Sequence, residues 1–428
     1  MRDALEISIS GLGSAGDGVG RLADGQVVFV PRALPGDRVR VRLGQKRKQL
    51  QFAELIAVLS PSPDRVESLC PTHACGGCGL KELSIAAQAD IKRRRIVETM
   101  RRIGRLDIDA MLGPIRQSSP GWRTRHRVRL HAAWSAGQWH LGYFAQRSRT
   151  LIALDQCPIL WPELEQAALA LGDSLGSLPA AAQLEEVEIA FSRCDGRAAA
   201  QLVGAGPMAA YQRWLGDGVP GGLAGMAIVA NDGSVQHGNL GLRYDHRRAG
   251  EFDLQFEPGV FTQANPEMND ELVAAVLAAL APSHSKRVVE LHSGIGNFSV
   301  PLRLAGIDGV TVERDAHAAA LCRQNGSHAG VCLDVRAESD SEVVGNLEDF
   351  HAVLLDPPRT GAHEAVAAIA SRRSVERVVY VSCDVATLAR DAGLLTAAGF
   401  AIVAAAAFDM FPQTPHVETL LVFARPPA

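Results

Sequence analysis

The sequence predicts an α/β multidomain chain. It reads as a small N-terminal β-barrel of the oligonucleotide-binding (OB) type, a central α+β segment, and a C-terminal Rossmann-like sheet with helices on both faces. Three observations carry this. Residues 5–58 hold short apolar or alternating runs cut by glycine turns. Residues 70–78, "CPTHACGGC", hold three cysteines in the pattern C-x4-C-x2-C. From about residue 266 strand-like and helix-like segments alternate. The expected divisions are 1–58, 59–250 and 251–428.

A chain of 428 residues exceeds one compact core. With 47% hydrophobic and 21% charged residues it is globular. No apolar run reaches membrane-spanning length, and "MRDALEISISGLG" lacks a signal-peptide core. A cytoplasmic protein without a membrane partner is expected. Eight cysteines are too sparse for a disulfide scaffold. The net charge of −4 hides an asymmetry. Residues 1–157 carry 25 Lys and Arg against 14 Asp and Glu, whereas the remainder carries 18 against 33. The basic half suits a polyanion, or simply a dispersed surface charge.

In the barrel, "EISISGLG", "GQVVFVPRAL", "DRVRVRLG" and "QFAELIAVLS" read as strands. Arg38, Arg40 and Arg42 share one strand face, followed by Lys46, Arg47 and Lys48. This suits either a solvated edge or a basic face for RNA. "SPSPDRV" is a linker, and a helix over about 81–104 follows the cysteines with a basic run from Lys92 to Arg95. In "GWRTRHRVRLHAAW", Arg123, Arg125, Arg127 and Arg129 recur with period two, which predicts a strand with one guanidinium-rich face. Such a row repels itself unless water or phosphate lies over it. "QWHLGYF" is its hairpin partner.

Beyond 266, "NDELVAAVLAALA" predicts a helix, and "RVVELHSGIGNFSVPLRLAG" a strand, glycine turn and helix. "DGVTVERDAHAAALCRQNG" repeats that unit, and "FHAVLLDPPR", "RVVYVSCD" and "HVETLLVFAR" are further buried strands.

Cys70, Cys75 and Cys78 supply three soft ligands from one loop, and Cys157 in "DQCPIL" is the fourth candidate. Four thiolates serve zinc or an iron–sulfur cluster. Three clustered cysteines with one distant partner suit a cubane better, while zinc stays open. The turn "ELHSGIGNF" contains G-x-G, and Glu313 ends the next strand, where an acid accepts ribose hydroxyls. No phosphate-binding lysine follows, so an adenosine ligand without polyphosphate, such as S-adenosylmethionine, fits best. Asp334 is a candidate for the adenine amino group. Asp356-Pro-Pro ends the fourth strand, Cys383 ends the next as a candidate nucleophile with Arg359 nearby, and Glu418 opens the last as a candidate base.

Together these marks resemble the RNA uracil-5-methyltransferase family, in its form with an N-terminal TRAM domain and a [4Fe-4S] cluster. "GRLADGQVVFVPRALPGDRV" is similar to the TRAM signature. "CPTHACGGC" with "QCPIL" resembles the cluster set. "GVFTQANPEMN", "ELHSGIGNFSVPL", "LLDPPR", "YVSCDVATLARD" and "DMFPQTPHVE" match the catalytic domain in order. The resemblance covers nearly the whole chain. It implies a class I methyltransferase domain, with Cys383 as nucleophile and Glu418 as the base that removes the C5 proton. It implies Gln263, His292, Asn297, Glu313, Asp334 and Asp356 as cofactor and base-site residues, and Cys70, Cys75, Cys78 and Cys157 as cluster ligands. The implied target is a uridine of 23S ribosomal RNA rather than transfer RNA, flipped from its stem and methylated by a monomer. Arg123, Arg125, Arg127 and Arg129 would grip the flanking RNA, with the cluster stapling loop 70–78 to Cys157 to hold their strand rigid.

Two departures stand out. His292 replaces the usual Phe or Tyr, and Asp384-Val385 replaces Asn-Pro after the nucleophile. Asp384 is expected to disfavour the neighbouring thiolate. Two other readings remain: a purine-amine methyltransferase that uses Asp356-Pro-Pro as a clamp, and a non-catalytic RNA-binding or assembly factor.

Overall fold

The computed structural model describes residues 4–47, 50–216, 218–247, 251–281, 287–347 and 350–425. Lys48 of the basic run lies outside them.

The alternating N-terminal runs close into a barrel of β1 (Leu5–Leu12), β2 (Gly18–Arg21), β3 (Val27–Val30), β4 (Arg38–Arg47) and β5 (Leu50–Ser60), in the order 1-2-3-5-4. Ile7, Ile9, Val28, Val30, Val39, Val41 and Ala53 fill it. Their period of two along each strand puts apolar side chains inside and Arg38, Arg40 and Arg42 outside. Two of these arginines meet acids across the sheet, Arg40 with Glu6 at 2.9 Å and Arg42 with Glu54 at 3.2 Å. Arg147 pairs with buried Asp17 and lies 4.1 Å over the Phe52 ring, while Arg65 pairs with Asp37 and Glu82. These contacts dock the barrel on the segments that flank the cysteines.

Helix α1 (Ile85–Thr99) starts where Ser84 Oγ accepts the Ala87 amide, continues as a wider turn over Met100–Gly104, and stops at Arg105 with φ 56°. Its apolar side buries Ile96, Val97 and Met100 in the same core as Val385, Leu388 and Ala392 of the C-terminal region. Lys92 of the basic run faces inward and is buried.

The central sheet contains β6 (Arg127–Ser135), β7 (Gln138–Phe144), β8 (Leu151–Ala153), β9 (Leu184–Ser192), β10 (Arg197–Gly204), β11 (Gly225–Ala230) and β12 (Gly233–Gly238), in the order 12-11-10-9-6-7-8. Helices α2 (Pro162–Ser174) and α3 (Met208–Leu215) pack on it. A hairpin of β13 (Leu242–His246) and β14 (Phe252–Phe256) straddles residue 250, so the expected division there is corrected. Leu242, Tyr244, Leu254 and Phe256 pack with Ala190 and Ala199 on one side and Ile295, Val300 and Leu321 on the other.

The C-terminal sheet follows α4 (Pro266–Leu280). It runs β15 (Val288–Leu291), α5 (Ser299–Leu304), β16 (Gly309–Val312), α6 (Ala316–His328), β17 (Asp334–Arg336), α7 (Asp340–Asn346), β18 (Ala352–Leu355), α8 (His363–Ser371), β19 (Arg377–Ser382), α9 (Val385–Ala397), β20 (Ala401–Phe408) and β21 (Glu418–Ala424). The strand order is 17-16-15-18-19-21-20; the first five are parallel, and β21 is antiparallel to both neighbours. Strand order reverses between β15 and β18, and open sheets of this kind take ligands at the carboxyl ends beside that point. Among the described residues no helix is long and apolar enough to cross a membrane.

Candidate active site

Register fixes what reaches the ligand rim. Leu291, Val312, Arg336 and Leu355 are partners across the parallel strands, so His292, Glu313 and Asp356 emerge together just beyond them. Asp334 does not. It opens β17 opposite Val310, three residues short of the rim, and pairs with Arg336 at 3.1 Å. The adenine role expected for it is corrected: the strand is short and starts at Asp334 instead of ending before it.

A pocket of about 470 Å³ lies at the switch point, with Gln263, His292, Asn297 and Asp356 in its wall. Gly294 and Gly296 turn there with φ of 57° and 93°, backbone that side chains resist. A Cβ on Gly294 would stand in open space. His292 itself holds φ 61°, a strained value that suits a functional turn. Asn297 exchanges two hydrogen bonds with buried Asn269 of α4, at 2.7 and 3.0 Å. Glu313 accepts the amides of Gly294 and Asp315, both at 2.8 Å, and so braces the glycine turn. Sequence reasoning missed three residues. Tyr244 reaches the pocket from the hairpin, and Phe261 stands at its edge 64% exposed. Asp340 lies 2.9 Å from His292 Nε2. An exposed aromatic after "EPGV" was the only local signal among them.

Beside this pocket Cys383, Glu418, Asp356 and Arg359 meet. Burial and the nearby Glu418 carboxylate push the Cys383 thiol up to about 11, while Arg359, which hydrogen-bonds to it, works the other way. Glu418 is 2% exposed, and burial and Asp356 hold its carboxyl well above the usual range. Asp356 is pushed up to about 7 by burial, opposed by His292 and by Gln263, whose Nε2 lies 3.5 Å away. Three acidic groups crowded in one site disfavour one another's ionised forms.

Asp384 is not what raises the thiol. Its carboxylate caps α9, accepting the amides of Ala386 at 3.0 Å and Thr387 at 2.9 Å, with Val385 as the first helical residue. The expected penalty at Cys383 is corrected: the charge is spent on the positive end of a helix.

Cys70, Cys75, Cys78 and Cys157 line a second pocket of about 510 Å³, with Lys81, Arg125 and Tyr143 in the same wall. Gly76 donates to Phe144 O at 3.0 Å, and a Cβ there would meet that oxygen at 2.7 Å, so only glycine fits. Among the described residues no three His, Cys, Asp or Glu side chains form a group for a metal ion. The four cysteines nonetheless converge on one cavity with two cations beside them.

The guanidinium row is corrected most. β6 starts at Arg127, and Arg123 precedes it with φ 55°, so the four do not share one strand face. Acids pair with three of them. Arg123 meets Glu165 at 2.6 Å, Arg127 meets Glu188 at 2.5 Å, and Arg129 meets Glu188 at 3.0 Å. Arg127 is largely buried and donates to Val260 O and Thr262 Oγ1, so it holds the loop that carries Phe261 and Gln263. Arg125 turns to the cysteine pocket with its Nε unpartnered. Only Arg123 and Arg129 keep exposed heads.

Comparison with known proteins decides the family. A TRAM domain model matches residues 2–56, and a tRNA (Uracil-5-)-methyltransferase model matches residues 342–425. The chain is 34% identical to the 23S rRNA (uracil(1939)-C(5))-methyltransferase RlmD of Alkalilimnicola ehrlichii, over 99% of this chain and 97% of that protein. The chain belongs to the RNA uracil-5-methyltransferase family. The same enzyme of Pseudomonas putida is 35% identical over 96% of this chain and 91% of its own length. The solved tRNA (uracil-54, C5)-methyltransferase of Pyrococcus abyssi, in complex with S-adenosyl-L-homocysteine, shares the fold, with TM-score 0.76 and 22% identity over 98% of this chain and all of that one. As a family member the chain is an S-adenosylmethionine-dependent methyltransferase acting on uracil C5 in RNA.

Proposed function

We propose that the chain methylates C5 of one uridine in 23S ribosomal RNA, with Cys383 as nucleophile and Glu418 as base. The observation that carries this is the meeting of Cys383, Glu418 and Asp356 beside the switch-point pocket. Uracil C5 is too weak a nucleophile to take a methyl group unaided. The Cys383 thiolate, stabilised by Arg359, adds to C6, and electron density moves to C5. C5 then attacks the sulfonium methyl, and the thioether leaves. The Glu418 carboxylate removes the C5 proton, the C5–C6 double bond reforms, and the Cys383 sulfur departs. Gln263 and Asp356 stand in the pocket wall, Asp356 next to Glu418, and orient the ring. Phe261 offers a stacking face to a base drawn out of its helix. His292, Asn297 and Glu313 hold the methyl donor, Glu313 being suited to its ribose.

The ribosomal target follows from full-length similarity to enzymes named for it and from the TRAM barrel. We assign the barrel to about residues 1–58 and the catalytic unit to the region after the central sheet.

We also propose that Cys70, Cys75, Cys78 and Cys157 hold a [4Fe-4S] cluster. A cubane spreads its ligands over several irons, so it suits thiols too far apart for one ion. Lys81 and Arg125 suit its negative charge. The cluster's part is structural. Residues 158–161 pair with 123–125 (Arg123 N to Pro158 O 2.8 Å, Trp161 N to Arg125 O 2.9 Å), so holding Cys157 holds the lead-in to β6.

The test is transfer of labelled methyl to undermodified 23S rRNA, with tRNA as comparison. Label as 5-methyluridine in rRNA, absent with Cys383→Ala, supports the reading. A stalled covalent RNA adduct with Glu418→Gln supports the base. Label only in tRNA overturns the target, and label on a purine overturns the mechanism.

A further inference from the structure

The loop between β20 and β21 ends at the base Glu418, and the contacts that fix its middle come from the first 121 residues of the chain. Gln413 sits at its centre, 1% exposed, with φ 67°. Every polar group it owns is matched. Its amide donates to Gln88 Oε1 at 2.9 Å, and its Oε1 accepts from Gln88 Nε2 at 2.9 Å. Its carbonyl accepts the Leu80 amide at 2.9 Å, and its Nε2 donates to Gly121 O at 3.1 Å. One side chain and its backbone thus tie the catalytic loop to the end of the cysteine loop, to α1 and to the segment before β6. Gln88 is itself fully buried and also donates to Leu83 O at 2.9 Å. Flanking anchors run the same way: Lys92 Nζ to Phe411 O at 3.2 Å, and Arg95 to Pro415 O at 3.0 Å.

A fully satisfied buried network of this kind specifies one arrangement of its backbone. A non-glycine residue at positive φ persists only where its surroundings over-determine it. Gln413 touches no reacting atom, yet it is five residues ahead of Glu418 in a loop with no slack at either end. We propose that Gln413 is a positioning residue that aims the Glu418 carboxylate at the C5 proton, which makes proton removal the step sensitive to the seating of α1 and the cysteine loop. This rests on Glu418 being the base.

Gln413→Gly is the discriminating variant, because glycine keeps the backbone at positive φ and its two backbone hydrogen bonds while removing the side-chain pair. The holoenzyme is mixed with substrate RNA and S-adenosylmethionine, and methyl transfer, turnover and denaturant-stable adduct are followed together. Addition and methyl transfer precede proton removal, so the expected result is a normal first burst of methyl transfer. Methylated protein–RNA adduct then accumulates, and turnover falls about 10²-fold, the cost of a small misplacement of a reacting group. KM for RNA stays unchanged. Gln88→Leu removes the same side-chain pair from the α1 side and also the acceptor of the Gln413 amide, so it should slow turnover at least as much, with the double variant no worse than Gln88→Leu alone. Wild-type turnover, or loss of the burst in both Gln variants, overturns the proposal. Glu418→Gln run alongside separates the two readings. If it traps adduct and Gln413→Gly does not, positioning alone fails; if it traps none, the base assignment fails.

Discussion

Lys92 Nζ lies 2.6 Å from Asp409 Oδ1, and each side chain is about 1% exposed. The pair joins α1 to the loop between β20 and β21 across 317 positions of sequence. Breaking a buried pair by neutralising one partner strands the other charge, and Asp409→Asn is expected to destabilise the chain by about 3–5 kcal/mol. Lys92→Met with Asp409→Leu should recover most of that loss. Urea unfolding of Asp409→Asn, of the singles Lys92→Met and Asp409→Leu, and of their double measures it, and additive losses in the singles and double would show the two groups to be independent.

The Cys383 thiol is pushed up to about 11 by burial and by Glu418. Raised acids lose their protons late, so the rate of Cys383 alkylation should climb through pH 9 instead of levelling near the ordinary thiol value. Glu418→Gln removes one of the raising charges and should move the whole profile to lower pH. Mass spectrometry of the Cys383 peptide after timed iodoacetamide exposure reads this directly. An unmoved profile would leave burial and Asp356 as the causes.

The four cysteines of the second pocket predict iron and acid-labile sulfide in equal amounts in protein purified without oxygen. Cys157→Ser should lower both and loosen the lead-in to β6, seen as faster amide exchange over 121–126. Zinc in place of iron, with no sulfide, would reassign the site.

Arg127 and Arg129 are two residues apart and should behave differently. Arg127→Met takes the buried guanidinium from Glu188, which keeps only the exposed Arg129 as its cation, and frees the loop at 260–262, so stability and cofactor affinity fall together. Arg129 keeps an exposed head, so Arg129→Ala should leave the fold intact, weaken RNA binding, and reduce the salt slope by about 1. An unchanged salt slope would remove Arg129 from the RNA path.

Much of this was legible from residue order. Period-two runs foretold the barrel, and alternating strands and helices foretold the parallel sheet. The ends of β18, β19 and β21 pointed to Asp356, Cys383 and Glu418 at one rim, and the family resemblance added Gln263, His292 and Asn297. Those readings work because side-chain period and turn chemistry are local. Asp334 failed because a strand's start is set by its pairing partner, Val310, and not by its own neighbours. The Lys92–Arg95 run showed only as basic residues in a helix, and nothing local to it signalled that Lys92 is buried against an acid 317 residues away.

The sequence by itself determined the classes of element and the strand ends that form the ligand rim, since each depends on side-chain type and spacing over a few positions, while the reaction came from motif resemblance along the whole chain. Only the tertiary structure decided which carboxylate meets which guanidinium, that Asp384 caps a helix instead of opposing Cys383, and that Gln413 is held by α1. Those are contacts between segments distant in sequence. Their energies depend on separation and burial, which a linear order of residues does not contain.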